Sequence, residues 1–256
     1  IDMNFVIAIP SAKRCKSKNF KTLRLLRRLG VDMNQVFLFL DTTEINTYQE
    51  NYILDDIQIV GIDNKNIVSA RNYIEKTHFT NNQKVLCLDD DINWLNYKND
   101  EGEIKKITTR EEFTTQFNKA FNLLETHNCS LFGVYPIGRN SLWFSKARTQ
   151  VGNNHILACC SGIIVDKSIP LQNVELRIKE EYERGFLYGK NIRVGFIGLD
   201  TKYYCNDGIG IRTFEDQLDI CNRIMQKYPN RYSKTPLKIN TKRGNVDLRL
   251  NKKYYL

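Results

Sequence analysis

Asp89, Asp90 and Asp91 stand side by side in the stretch VLCLDDDINWL, directly after the mostly apolar run Val85, Leu86, Cys87 and Leu88. Adjacent carboxylates repel, and a buried unpaired charge is costly, so a cation belongs beside them. A hard divalent ion such as Mg2+ or Mn2+ takes carboxylate oxygens, using one or two of them together with substrate phosphates. On an extended chain Asp89 and Asp91 share one face while Asp90 points the other way. That makes Asp89 with Asp91 the expected metal pair, and a turn straight after the strand could put Asp90 in place of Asp89. The plain alternative is a solvated loop or a helix-capping cluster. A second acidic pair, Glu215-Asp216, opens the helical pattern in GIGIRTFEDQLDICNRI. Acids in a first helical turn favour the helix dipole, and Thr213 with Asp216 loosely fits a capping box.

The elements that must position these acids alternate along the first 95 residues. Continuous apolar runs at 5–10, 35–41, 57–63 and 84–91 read as buried strands. Between them, 20–30 reads as an amphipathic helix with Phe20, Leu23, Leu26 and Leu29 on its apolar face and Gly30 at its end, and 66–78 as a second long helix. A short helix is expected near 43–53. Buried strands alternating with helices predict a parallel α/β sheet. Ligand-binding residues should then collect at the carboxyl ends of the strands, at Pro10-Ser11, Asp41-Thr42, Asp63-Asn64 and Asp89 to Asp91. Farther on, 110–127 reads as a helix capped by Thr108 or Thr109, 131–137 and 156–166 as strands, 192–205 as a strand broken at Gly198, and 213–228 as a helix. Residues 138–154 read as a polar excursion. No repeat, low-complexity segment or linker divides the chain, so 1–256 is expected to be one domain.

Apolar residues make up 41% and charged residues 26%, ordinary values for a globular chain. No run approaches the ~20 apolar residues of a membrane span, and the opening IDMNFVIAIP lacks the pattern of a secretory leader. The 7 cysteines are odd in number, irregularly spaced and without a CxxC pair. This argues against a structural zinc and for a reducing, cytoplasmic compartment. The net charge is +9, concentrated at two places. Eight basic residues and no acid lie between Lys13 and Arg28, and ten basic residues against Asp247 alone lie between Arg223 and Leu256. Tyr228, Tyr232, Tyr254 and Tyr255 are interleaved with the second group. Cations mixed with aromatics suit a phosphate backbone with exposed bases, and a solvated basic face is the rival explanation.

AIPSAKR, FLFLDTTE, SARNYI and VLCLDDDINWL together resemble the donor half of the GT-A glycosyltransferases, over about the first 95 residues. The resemblance implies a three-layer α/β/α sandwich around a mixed, mostly parallel sheet. Residues 1–95 would be the donor-nucleotide half and 96–256 the acceptor half. It implies Mn2+ or Mg2+ at Asp89 and Asp91, holding the diphosphate of a nucleotide-sugar such as UDP-glucose. Pro10, Ser11, Lys13, Arg14, Asp41, Arg71, Asp89 and Asp90 would surround that donor. For Lys13, Arg14 and Arg71 the rival is a surface cation. In inverting members a Glu-Asp element carries the general base, which here implies Asp216 as base and Glu215 beside it. Many members add a late histidine to the metal. This chain has only His78, His127 and His155, all before that element, so His155, Asn240 or Asp247 stand as alternatives.

More narrowly, IPSAKRCKSKNFKTLRLL, LDDDINWL, RTFEDQLD and KINTKRGNVDLRLN resemble the TET/JBP-associated glycosyltransferases of phages and base-J-forming systems. These move a sugar onto hydroxymethylated pyrimidines in DNA. The implied partner is modified DNA, held by the basic C-terminal segment, and the implied location is the cytoplasm, that of the host if phage-encoded. Trp94 and Trp143 are candidate acceptor platforms or buried core residues. Other readings are a glycosyltransferase acting on a glycan or protein, a non-catalytic nucleic-acid-binding module, and a metal-dependent nuclease.

Overall fold

A computed structural model describes residues 2–13, 20–63, 66–137, 142–176, 179–200, 213–240 and 245–250. The strands are β1 (Val6–Pro10), β2 (Val36–Asp41), β3 (Gln58–Ile62), β4 (Lys84–Leu88), β5 (Leu95–Lys98), β6 (Ile104–Lys106), β7 (Leu131–Ile137), β8 (Gln150–Gly152), β9 (Cys160–Ile164), β10 (Asn191–Asp200), β11 (Tyr232–Asn240) and β12 (Asn245–Leu250). The helices are α1 (Lys21–Leu29), α2 (Ile45–Asn51), α3 (Ile67–Tyr73), α4 (Arg110–His127), α5 (Leu142–Ser145), α6 (Glu180–Tyr188) and α7 (Phe214–Lys227).

The main sheet has the order β3-β2-β1-β4-β9-β7-β10-β5-β6, with β8 also paired to β10. β1 pairs in parallel with β2 and β4, β2 with β3, and β7 with β10, while β9, β5 and β8 run against their neighbours. The result is a mixed, mostly parallel sheet between helices, as the GT-A resemblance implies; the alternating pattern alone predicts a parallel one. Its strands β1, β2 and β4 are apolar on both faces because both are covered. Ile7, Ile9, Leu38, Leu40, Leu86 and Leu88 face a core shared with α1 and α4. Their neighbours Ala8, Phe39, Val85 and Cys87 face the opposite core, built on α3. A third cluster joins α6, α7 and the β11–β12 hairpin through Tyr182, Ile220, Ile224, Val246 and Leu248.

Helix ends follow their local chemistry. Gly30 closes α1 at φ 73°, where a side chain would be strained. Asn66 and Ser69 form a capping box on α3, and Thr109 and Glu112 one on α4.

Several expectations shift. The 66–78 helix is α-helical only to Tyr73 and continues as a π-helical turn over Ile74–His78. The 156–166 strand shortens to Cys160–Ile164. Near Gly198, β10 changes register against β7 between Val194 and Gly198. The 138–154 excursion contains α5 and β8, and α6 is an element the apolar pattern does not show. Its buried side chains include Glu180, Glu183 and Arg184, so no apolar stripe marks it. Among the described residues no helix is long and apolar enough to cross a membrane. Cys87, Cys129, Cys160 and Cys221 are free thiols.

Candidate active site at the end of strand β4

The acidic run begins where β4 stops. The Asp89 N–H still donates to Cys159 O at 2.8 Å, and the chain then turns at Asp90 and Asp91. Strand alternation therefore does not govern the last two acids. Thr22, fully buried in the first turn of α1, clasps this turn from below. Its N–H donates to Asp90 O at 3.2 Å, its hydroxyl donates to Asp89 O at 2.5 Å, and Ile92 N–H donates back to that hydroxyl at 2.9 Å.

Asp90 is turned inward. Ser11 Oγ donates to its Oδ2 at 2.5 Å, which leaves Tyr48 OH, 2.8 Å away, to donate to Ser11 Oγ. All three side chains are buried. Ser11 and Asp90, both expected beside a nucleotide, bond each other, and the pair fixes the turn. Pro10, the last residue of β1, is likewise buried.

Arg71 is no surface cation. Its side chain is 4% exposed and bridges Asp89, at 3.1 Å, and Glu180. Burial works against its charge, but Glu180 and Asp89 more than offset this and raise its pKa, so the guanidinium stays charged. Arg71, expected beside the donor phosphates, forms a clamp that ties the start of α6 to the acidic turn. A second buried pair supports it: Arg184 Nη2 lies 2.7 Å from Glu75 Oε1, Arg184 Nη1 donates to Ser161 Oγ at 2.7 Å, and Tyr188 OH donates to Glu75 Oε2 at 2.8 Å.

The clamp places a second carboxylate, Glu181, at the same helix start. It is half-buried, and Oε1 lies 3.8 Å from His155 Nε2. The His155 ring stacks on Tyr182 at 4.4 Å, and its loop is tied down by Asn154 and Asn191, whose buried amides exchange bonds. Asn153, Asn154, His155, Glu181, Tyr182 and Gly185 line a small recess of about 10 Å³, room for a single water. Burial alone would push the Glu181 carboxyl up, but His155 and Lys179 override this and hold it at about 2. Glu180, Glu181 and Thr22 lie outside the predicted set. The visible signal for Glu180 and Glu181 is the acidic doublet in IKEEYERG, opening a segment the apolar pattern leaves blank.

The other predicted residues fall as follows. Lys13, at φ 59°, donates its backbone N–H to both oxygens of Glu44, at 3.1 and 3.0 Å. Asp41 Oδ1 accepts from Thr43 N–H at 2.9 Å and from its hydroxyl at 2.5 Å, shaping the β2–α2 loop. Arg14 lies outside the described residues. Glu215 and Asp216 are exposed in the first turn of α7, where Asp216 completes a capping box with Thr213 through bonds of 3.0 and 3.3 Å. Asp247 pairs with Lys179 at 2.5 Å, on the hairpin beside α6.

Among the described residues no group of three or more His, Cys, Asp or Glu side chains comes together as a ready-made metal cage. Asp89 and half-buried Asp91 nevertheless suit a hard ion that needs only one or two carboxylates and completes its shell with phosphate and water.

No protein-family model matches this sequence, and no curated protein matches it. Among solved structures the chain is similar to residues 1–349 of S. aureus TarS, with a TM-score of 0.50 and 13% identity over 87% of this chain. It spans 66% of the length of that TarS chain. The same part of TarS has been crystallised with UDP and with UDP-GlcNAc, and those structures align with TM-scores of 0.48 and 0.49 at 12% and 11% identity. At such identity the likeness defines the fold. This is a GT-A-like α/β fold.

Proposed function

We propose that this chain is an inverting glycosyltransferase that moves a sugar from a nucleotide-sugar, UDP-linked, to a hydroxyl acceptor, preferentially the hydroxymethyl group of a modified pyrimidine in DNA. One observation carries the reading. At the carboxyl end of the parallel strands, an acidic turn is joined through buried Arg71 to a helix that opens with Glu180 and Glu181. A GT-A-like fold puts ligands at those strand ends. TarS supports the choice of UDP as first probe.

Asp89 and Asp91 would hold Mg2+ or Mn2+, which when bound neutralises charge on a leaving diphosphate. Asp90 and Ser11 fix the turn, and Arg71 fixes the orientation of Asp89. Glu181 is the residue we place as general base. It is ionised and half-buried, and its helix start is clamped to the turn; Asp216 closes its own helix cap instead. As the acceptor oxygen bonds to the anomeric carbon and the bond to the diphosphate breaks, Glu181 takes the hydroxyl proton, and direct displacement inverts the anomeric centre. The basic C-terminal segment and the +9 net charge favour a phosphate-rich acceptor. A duplex target would have its base extruded.

The test is incubation with UDP-sugars and Mn2+, using hydroxymethylated or plain DNA, followed by mass spectrometry. One hexose added to the modified DNA alone is the expected result. Glu181→Gln should lower turnover by ~10²-fold or more with UDP binding retained, while Asp216→Asn keeps turnover within a few-fold. The reverse pattern returns the base to Asp216. Transfer only to a saccharide overturns the DNA acceptor, and absence of metal-dependent UDP binding overturns the transferase.

A further inference from the structure

Three residues beyond Asp91 the chain presents Trp94, half-buried, just before β5. Two cations stand over its ring: the Arg28 guanidinium 4.1 Å from the centroid and the Lys106 ammonium 2.6 Å from it. They come from separate elements. Arg28 belongs to the last turn of α1 and is steadied by a bond to Asn93 O at 3.3 Å. Lys106 ends β6, opposite Asn96 of β5. Both cations are exposed, and among the described residues neither forms an ion pair with a carboxylate.

The π face attracts each cation, but the cations repel one another. Desolvation first, and then the field of Arg28, lowers the Lys106 pKa, against a weaker pull from Asp200. The cluster is therefore short of negative charge. It is also fixed relative to the acidic turn, because Thr22 pins α1 to Asp89, Asp90 and Ile92, and β5 is paired to β10. A carboxylate site takes phosphate only through an intervening cation. A site made of cations takes phosphate directly, so the two neighbouring sites suit two different phosphates.

We infer that Arg28, Trp94 and Lys106 form a phosphate platform for the backbone of a nucleic-acid acceptor strand, separate from the nucleotide-sugar site. This rests on the DNA-acceptor reading above. The indole gathers the two cations and sets their spacing, and the cations supply the phosphate contacts.

The experiment is a fluorescence-anisotropy titration of the full chain with a labelled single-stranded oligonucleotide across a salt series, with UDP binding measured in parallel. The variants are the double substitutions Arg28→Gln with Lys106→Gln, and Arg28→Lys with Lys106→Arg. All sit at exposed positions, and far-UV circular dichroism checks their fold. Loss of two phosphate contacts should weaken oligonucleotide binding at least ~10-fold at low salt. It should also flatten the slope of log K against log salt by about 1.4, twice the single-strand value per contact. The charge-keeping pair should retain the slope, and UDP affinity should stay within two-fold throughout. An unchanged slope in the glutamine pair, a parent that binds no oligonucleotide, or UDP affinity falling in step overturns the platform. A parent that gives the expected DNA slopes but ignores UDP supports the platform and overturns the transferase reading, so the two failures are distinct.

Discussion

Arg71 carries more of this site than its single positive charge suggests. It is shared by two carboxylates from different elements, and removing it breaks the buried ion pair of Glu180 and releases the part-exposed Asp89. Breaking a buried pair from one side costs about 3–5 kcal/mol, so Arg71→Met should lower the melting temperature by about 10 °C, read by calorimetry. Arg71→Lys keeps the charge but not the two-pronged reach, and should recover only part of the loss. Glu181 gives a pH signature. Its folded-state value of about 2 lies below the ordinary 4.5, so the folded chain binds that proton less readily than the unfolded one. The resulting stabilisation is complete above pH 4.5 and fades as the pH falls toward 2. Denaturation midpoints of Glu181→Gln should therefore fall less steeply than the parent's across that window; parallel curves would show that His155 does not hold the carboxylate.

Among the elements, those with an apolar stripe and a chemical cap were legible in the sequence. α4 spans Arg110–His127 as its periodicity demands, with Thr109 as cap. Thr109→Ala should cost about 1 kcal/mol in urea denaturation. The strands β1, β2 and β4 were legible because both their faces are buried. α6 was not, because its buried positions hold charges that find partners only in the folded chain: Glu180 on Arg71, Arg184 on Glu75, and Glu183 on Lys227 at 2.7 Å. The site shows the same division. That the three aspartates end a strand could be read locally. That Asp90 bonds Ser11, 79 residues away, could not, nor that Glu180 is tied to the turn through Arg71. Close strand packing was equally hidden. A Cβ at Gly162 on β9 would lie 2.1 Å from the Phe132 ring of β7, so Gly162→Ala should destabilise by about 1–3 kcal/mol, measured as a shift in the urea midpoint at unchanged m-value.

For the molecule as a whole, ligand binding should register as stability. UDP with Mn2+ at a hundredfold excess over its dissociation constant adds about 2.7 kcal/mol, a rise of several degrees in melting temperature for a chain of this size. In Asp91→Ala the Mn2+-dependent part of that rise should vanish; a rise equal to the parent's would remove Asp91 from the metal site. The order of the sheet has a consequence of another kind. β9 lies between β4 and β7, and the carbonyl just before it, at Cys159, holds the Asp89 N–H. During synthesis β1 to β4 emerge early and can pair among themselves, yet the inner edge of β4 stays open until about 70 further residues have left the ribosome. At ~5–20 residues per second that wait lasts several seconds. Closure of the sheet beside the acidic turn thus waits on a strand far downstream, and a nascent chain halted before β9 exposes an unpaired apolar strand as a template for aggregation.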